Sequence, residues 1–159
     1  MAKSSLEKTL EKQHREEKRM AEKRARREKA IAIVTGQPII GEMRIMDQTA
    51  EEILRVILSV YDGNERQYVH GSDEDFPPAY RSSLQLEFEK LSAYGMITNQ
   101  AVWINAMWEA TITAQGLTYF ERKEKAQMLT QIKEETAKKE YDVFISHACK
   151  DKSDYVDSL

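Results

Sequence analysis

The densest set of reactive side chains in this sequence lies near its end. It comprises Ser146, His147, Cys149 and Lys150. These residues follow an uninterrupted apolar run at 143–145, which is typical of a strand buried on both faces in a parallel sheet. Because ligands bind beyond the carboxyl ends of strands in an open α/β sheet, residues 146–151 are predicted to form a binding loop.

The segments around this loop predict the beginning of an α/β domain. Asp151 or Ser153 is expected to cap a helix that packs back on the strand. One βαβ unit takes about 30 residues, and only 19 residues follow Glu140. We therefore expect residues 141–159 to begin a sheet that they do not complete, as in a truncated domain.

A catalytic thiol is not predicted, although an imidazole and a thiol stand two positions apart. His147 and Cys149 share only a side of an extended segment, and no carboxylate is implied that would orient the imidazole. Cys149 is also the only cysteine in the sequence. An intramolecular disulfide and a cysteine cluster for zinc are therefore excluded.

The same segment resembles the first motif of bacterial Toll/interleukin-receptor (TIR) domains. The shared pattern is Tyr141-Asp142-Val143-Phe144-Ile145-Ser146-His147, Ala148, Lys150-Asp151-Lys152 and Tyr155. The resemblance covers about an eighth of the chain. It implies a flavodoxin-like sheet and, in many bacterial members, cleavage of the nicotinamide glycosidic bond of NAD. Another doubly wound α/β domain is the alternative interpretation of the segment.

The TIR resemblance also implies a site and its limits. Ser146, His147 and Lys150 are carried over as residues that line the NAD pocket. The catalytic glutamate of the family lies further along its chain than the position of Leu159, so no residue here matches it. No cofactor is expected. NAD is expected as the substrate of a complete parent protein, and the 159-residue chain is predicted to be inactive.

Composition sets broad limits on the class of protein. The formal net charge is −3, and charged residues make up 32% of the sequence. This balance predicts no global attraction to nucleic acid or to an anionic membrane. No apolar segment follows Met1, and the longest apolar stretch, at 31–46, is too short and too interrupted to span a bilayer. A cytoplasmic protein without a membrane segment is expected.

The first 30 residues predict a charged helix. Eleven bases and six acids lie between residues 3 and 29, without Gly or Pro, and several Glu-to-Lys or Glu-to-Arg pairs have four-residue spacing. The apolar positions of its heptad frame are Leu6, Leu10 and Met20. Polar residues occupy the other seam positions. Three interpretations stay open: a solvated helix, an arm for nucleic acid or an acidic partner, and a coiled coil that oligomerises the protein.

A linker at 31–47 is predicted to lead into an α+β module at 48–122. Thr49 and Glu52 form a capping box before an apolar helical stripe. A brief strand at 68–69 and a second helical region beginning at the two prolines 77–78 follow.

The second half of this module ends in a hairpin and a helix. Gly95 is expected to close the second helical region, and strands at 101–104 and 108–112 are expected to pair. Thr113 caps a final helix. The order is that of a winged helix. Residues 88–97 and 112–120 resemble the helix-to-wing junction and closing helix of winged-helix modules in prokaryotic regulators.

Charge argues against DNA binding by this module. Residues 47–124 hold thirteen acids and six bases, and no base lies between Lys90 and Arg122, where the wing is expected. DNA-binding proteins gain most of their affinity by neutralising phosphates with Lys and Arg. Protein partners or self-association are therefore expected.

A helical spacer at 123–140 leads to the TIR-like segment at 141–159.

Two further features receive structural interpretations. The carboxylates of Asp73, Glu74 and Asp75 are expected in a solvated loop, since no further metal-ligand pattern accompanies them. Trp103 and Trp108 are expected to fill the core.

Two hypotheses of function follow from the sequence as a whole. The first is the N-terminal part of a TIR-domain signalling protein with the module as sensor or oligomeriser. The second is a non-enzymatic regulator that binds protein or nucleic acid.

Overall fold

A computed structural model describes residues 2–157, with side chains described as far as Glu140. It has an α+β fold. The elements are α1 (Ser5–Thr35), β1 (Ile39–Ile40), β2 (Met43–Arg44), α2 (Gln48–Val60), β3 (Tyr68–Ser72), a short 3-10 turn (Asp73–Asp75), α3 (Pro78–Arg81), α4 (Leu84–Ala93), β4 (Ile97–Val102), β5 (Met107–Ile112) and α5 (Ala114–Asp157).

Backbone contacts divide the chain into two units. The first consists of Met1–Pro38 and Arg44–Tyr119, and the second consists of Ile39–Met43 and Phe120–Leu159. The first unit holds the three-stranded sheet, which has the order β3-β5-β4. Both pairings in this sheet are antiparallel. The predicted order of helix, strand, helix, hairpin and helix is confirmed from α2 to α5.

The core of the first unit is built around Trp108, near the start of the middle strand β5. Its side chain is 1% exposed, as predicted, and its indole lies 5.4 Å from the ring of Phe76 and 5.7 Å from the ring of Phe88. The indole nitrogen donates to the Ser72 carbonyl oxygen at 2.9 Å. Tilted and edge-on ring pairs of this kind are favourable beyond the area that they bury.

Helix α4 is enclosed around most of its circumference. Leu84, Phe88 and Leu91 enter the core, and α1, α2 and β4 pack on the helix from other directions. Gln85 and Ala93 are its exposed side chains. The helix therefore offers little free surface to a ligand.

The N-terminal helix is part of this core and not only a charged arm. Ala30 and Val34 are buried, and α1 packs along α4. The helix ends at Thr35, five residues into the segment predicted to be a linker. Ile45 and Met46, at the end of that segment, are buried as well. Residues before the predicted module therefore help to stabilise it.

Two local predictions near the module are wrong in detail. Helix α2 is capped by Asp47, whose carboxylate accepts from the Ala50 N–H at 3.3 Å, and not by Thr49. Strand β4 begins at Ile97 and ends at Val102, so Trp103 belongs to the turn of the hairpin. Trp103 is 48% exposed and does not fill the core.

Two other terminations are confirmed. Helix α4 ends before Gly95, which has φ +81°, a conformation that favours glycine. The Thr113 hydroxyl oxygen accepts from the Gly116 N–H at 3.0 Å at the start of α5. Both caps lie where the sequence placed them.

The predicted strand at 143–145 is wrong for this structure. These residues lie within α5, as do the expected loop 146–151 and the helix start at Asp151 or Ser153. A strand needs a neighbour to pair its backbone groups, whereas a helix pairs them within the segment. Both sheets in the described part of the chain are small and antiparallel and include no residue beyond Ile112, so no strand partner is available.

The contact between α5 and the end of α4 predicts a glycine requirement. A Cβ atom on Gly116 would lie 2.2 Å from the Met96 carbonyl oxygen and 3.0 Å from Ile112 Cγ2. We expect Gly116→Ala to lower the free energy of unfolding by at least about 2 kcal/mol, because the backbone must shift.

Gly36→Ala is the control for this substitution, since its new Cβ would meet nothing closer than 3.6 Å. Its cost should be below about 0.5 kcal/mol. Urea unfolding followed by circular dichroism measures both variants. Equal stabilities of the two variants would contradict the close approach.

Candidate functional site

Charged side chains are buried together where the start of α2 meets α4. Lys90 and Glu87 are 4% and 5% exposed. The Lys90 ammonium donates to Asp47 Oδ2 at 2.7 Å, and it lies 2.8 Å from Glu87 Oε2. Tyr94 completes the cluster by donating its hydroxyl proton to Asp47 Oδ1 at 2.6 Å. We call these four residues the Lys90 cluster.

One carboxylate of the Lys90 cluster is less well satisfied than the other. Asp47 accepts from Lys90, Tyr94 and the Ala50 N–H. Glu87 Oε2 has no partner at hydrogen-bond geometry, so its contact with Lys90 is an ion pair of poor angle. Removing Lys90 would therefore leave the buried carboxylate of Glu87 and the partly buried carboxylate of Asp47 without their cation.

Burial and pairing compete in setting the pKa values of the cluster. Burial raises the pKa of Asp47, but the hydrogen bonds from Lys90 and Tyr94 outweigh it and hold the pKa below its ordinary value. For Glu87, burial outweighs Lys90 and the pKa is raised. Burial lowers the pKa of Lys90, but its two carboxylate partners outweigh burial and raise it. Pairing thus favours the charged forms of Asp47 and Lys90, whereas burial favours the neutral form of Glu87.

A second buried hydrogen-bond pair joins α5 to α2. The Tyr119 hydroxyl donates to Glu51 Oε1 at 2.7 Å and accepts from the Met46 N–H at 2.9 Å. Burial is the main cause that raises the pKa of Tyr119. Like the Lys90 cluster, this pair uses its polar atoms on the protein itself. Both groups therefore have a structural role. Neither presents the exposed reactive atoms that catalysis requires.

A groove in the first unit presents a different kind of site. It has a volume of about 650 Å³ and runs between α1, α4 and the β4–β5 hairpin. Three bases of α1, Arg19, Lys23 and Arg26, line it together with two carboxylates, Glu22 and Glu89, so bases exceed acids by one. On the hairpin side, Trp103 and Ile104 form its wall. We call this feature the α1–hairpin groove.

The tip of the hairpin holds its apolar side chains in the solvent. Ile104 is fully exposed, and Trp103 is about half exposed. The Trp103 N–H donates to the Met107 carbonyl at 2.9 Å, and the Ala106 N–H donates to the Trp103 carbonyl at 3.2 Å. Ala106 adopts φ 68°, which is unfavourable for a residue with a Cβ.

A further hydrogen bond fixes this turn to the 3-10 turn that follows β3. The Asp73 N–H donates to the Ala106 carbonyl oxygen at 2.7 Å. The turn is therefore held by three backbone hydrogen bonds in spite of its strained residue. An exposed indole on a fixed turn is a pre-organised contact surface.

The predicted site residues of the C-terminal segment cannot be placed in a pocket. Ser146, His147 and Lys150 lie on the backbone of α5, and their side chains are outside the described part of the structure. The same holds for Cys149 and Asp151. Their assignment to an NAD pocket stays a prediction.

The acidic run at 73–75 forms a 3-10 turn rather than an irregular loop. The Asp75 carboxylate accepts from the Ser72 N–H at 2.9 Å and from the Trp108 indole at 3.3 Å. The Asp75 carboxylate therefore stabilises the fold by accepting these two hydrogen bonds. Among the residues that the structure describes, no group of three or more His, Cys, Asp or Glu side chains is placed to hold a metal ion.

Within residues 2–157, no helix combines the length and the apolar content that crossing a bilayer requires.

Comparison of the chain with protein-family models, with curated proteins and with solved structures found no match. The function must therefore be argued from the residues and their geometry.

The sequence indicates the Lys90 cluster and the α1–hairpin groove only in part. Lys90 stands beside Leu91 in an apolar helical stripe, and Glu87 lies one turn earlier, so a buried ion pair was readable as a hypothesis. Nothing local indicates that Asp47 completes it from 43 residues away. The bases of the α1–hairpin groove were visible only as part of a charged helix.

The Lys90 cluster predicts an unequal cost for its two simplest variants. Lys90→Met removes the shared cation, and we expect a loss of about 3 to 5 kcal/mol in the free energy of unfolding. Glu87→Gln keeps the pairing of Lys90 with Asp47 and should cost about 1 kcal/mol or less. Chemical denaturation at neutral pH measures the difference.

The pH dependence supplies the matching test. Without Lys90, the folded-state pKa values of Asp47 and Glu87 should lie above their unfolded values. The variant should then gain stability as the pH falls from about 7 to about 5, because the folded state takes up more protons than the unfolded state. A variant whose stability does not change over this range would show that the carboxylates are not enclosed as described.

Proposed function

We propose that this chain is the regulatory N-terminal part of a TIR-domain signalling protein. In this proposal, residues 48–122 form a winged-helix-type module that senses a partner or holds copies of the protein together. The element order from α2 to α5 supports the winged-helix type. The pattern from Tyr141 to Tyr155 supports the TIR assignment.

The enclosure of α4 is the observation that carries the proposed role of the module. In a helix-turn-helix protein, the recognition helix enters the major groove and reads base edges. Its counterpart by order here is α4, which is covered by α1 and contributes Glu87 and Lys90 to a buried ion pair. Gln85 and Ala93, its exposed side chains, offer no positive charge. A partner other than duplex DNA suits this module better.

The NAD-cleaving activity is proposed for a complete TIR domain and is supported by the motif alone. The backbone at 141–157 is helical in this structure, whereas a TIR domain begins with a strand. A strand forms only when neighbours pair its backbone groups. The proposal therefore requires that residues 143–145 become a strand when the rest of such a sheet is present. In that state, Ser146, His147 and Lys150 would line the pocket.

A second candidate function has its own support in α1. The helix carries a surplus of bases between residues 3 and 29, and three of them line a groove beside an exposed tryptophan. This arrangement favours a non-enzymatic regulator that binds an acidic partner. The two candidates differ in whether NAD turnover accompanies binding.

The enclosure of α4 predicts that the full chain does not read duplex sequence. Selection from a library of random duplexes should enrich no motif, and any retained duplex should bind weakly and in a salt-sensitive way through α1. Gln85→Ala should leave the selection unchanged, as should the control Gln13→Ala on α1. An enriched motif that disappears in Gln85→Ala would overturn the proposed role of the module.

The TIR assignment predicts NAD turnover only in a longer protein. Glycosidic cleavage needs a carboxylate positioned beside the departing nicotinamide. The 159-residue chain should therefore release no nicotinamide from NAD. A protein in which the reading frame continues from residue 159 into a full TIR domain should release it. Turnover by the 159-residue chain that is lost in Asp151→Asn would show that the site has been misassigned.

A further inference from the structure

One face of α1 carries only bases over five helical turns. At 100° per residue, six side chains fall within one arc of about 80°. They are Lys8, Lys12, Arg15, Arg19, Lys23 and Arg26. None of the six glutamates between residues 3 and 29 falls within this arc. We call this face the basic stripe.

The basic stripe leads directly into the core of the first unit. Ala30 continues the same helical face, Val34 lies about 20° beyond its edge, and both are buried. Arg26 is half-buried, and the five earlier bases are exposed. From Lys8 to Arg26 the stripe is about 27 Å long. Its inner half lines the α1–hairpin groove, opposite the exposed indole of Trp103.

We propose that the basic stripe and the α1–hairpin groove bind single-stranded nucleic acid. The phosphates would lie along the stripe, and one base would stack on Trp103 at the tip of the hairpin. Proteins that hold single strands combine a positive groove with aromatic side chains on which the bases stack. The amides of Gln85 and Gln100 also line the groove and can hydrogen-bond base edges. This inference does not depend on the TIR assignment.

The charge and the aromatic side chain together favour this ligand over other anions. A peptide of acidic residues alone would satisfy the bases but would leave Trp103 and Ile104 in water. In duplex DNA the bases are stacked inside, so an exposed indole finds no free base. An anionic membrane requires an apolar helix face opposite the bases, and on α1 that face is interrupted by Gln13, Glu17 and Arg24.

The test uses the full chain and a fluorescent oligothymidylate of about 15 nucleotides, followed by fluorescence anisotropy. Affinity is measured between about 50 and 200 mM salt. The stripe variant combines Arg19→Gln, Lys23→Gln and Arg26→Gln. The control variant combines Lys18→Gln, Arg24→Gln and Arg27→Gln, which removes the same charge from other faces of α1.

We expect binding that weakens with salt in the unchanged chain. The stripe variant should bind at least about tenfold more weakly, and the slope of log affinity against log salt should fall by about 2, as three phosphate contacts are lost. The control variant should bind nearly as well as the unchanged chain. Glutamine is a good helix former, so circular dichroism should report the same helicity in both variants.

The tryptophan is tested separately. Trp103→Ala should weaken binding about tenfold without changing the salt slope, and Trp103→Phe should restore much of the loss. Tyr68→Ala, which removes an exposed aromatic ring that does not line the groove, should bind normally.

Three results would overturn the proposal. The first is the absence of binding at the lowest salt, and the second is an equal loss in the stripe and control variants. The third is tighter, Trp103-dependent binding to phosphatidylserine vesicles or to polyglutamate than to the oligonucleotide. The third result would assign the groove to a membrane or to an acidic protein. Nicotinamide release plays no part in any of these readouts, so failure here is distinguishable from failure of the TIR assignment.

Discussion

A single buried cation determines how the helices of the first unit meet. Lys90 is almost inaccessible to solvent, and its charge is balanced by Asp47 at the start of α2 and by Glu87 on α4. An unpaired charge in such a place costs several kcal/mol, so the packing of α2 on α4 depends on the ammonium keeping its hydrogen-bonded partner Asp47. Asp47 also caps α2, which couples the beginning of one helix to the buried face of another.

This constraint has a functional consequence for α4. A helix that contributes a buried ion pair on one side, core apolar residues on another and a contact with α1 has no broad face left for a ligand. In the position that a recognition helix would take by order of elements, α4 is neither exposed nor basic. Binding must use other surfaces, and the hairpin tip and the basic stripe of α1 hold exposed apolar and basic groups.

The parts of the fold that were predictable depend on local chemistry. Gly95 ends α4 because its backbone takes a conformation that favours glycine, and Thr113 caps α5 through its hydroxyl. Asp47 was missed as the cap of α2, because the choice between Asp47 and Thr49 depends on Lys90 and Tyr94 from a distant part of the chain.

The site was less predictable than the fold for a similar reason. Trp103 was assigned to the core, because apolar side chains do not reveal from sequence whether the turn of a hairpin begins before or after them. The strand at 143–145 was inferred from an apolar run, and such a run does not supply the neighbouring strands that its backbone would need. The groove was not foreseen, since it joins α1 to a hairpin about 80 residues further along the chain.

The two ends of the continuous helix α1 differ in local stability. Its outer turns contact water on nearly all sides, whereas Ala30 and Val34 are enclosed. Helix ends without tertiary contacts open at little cost, so backbone amides near Leu6 should exchange their protons far faster than the amide of Val34. A ligand that rests along the outer turns would slow this opening. Ligand binding would then be detected as slower hydrogen exchange of the backbone amides in the outer turns of α1. The folded unit would not need to change its shape.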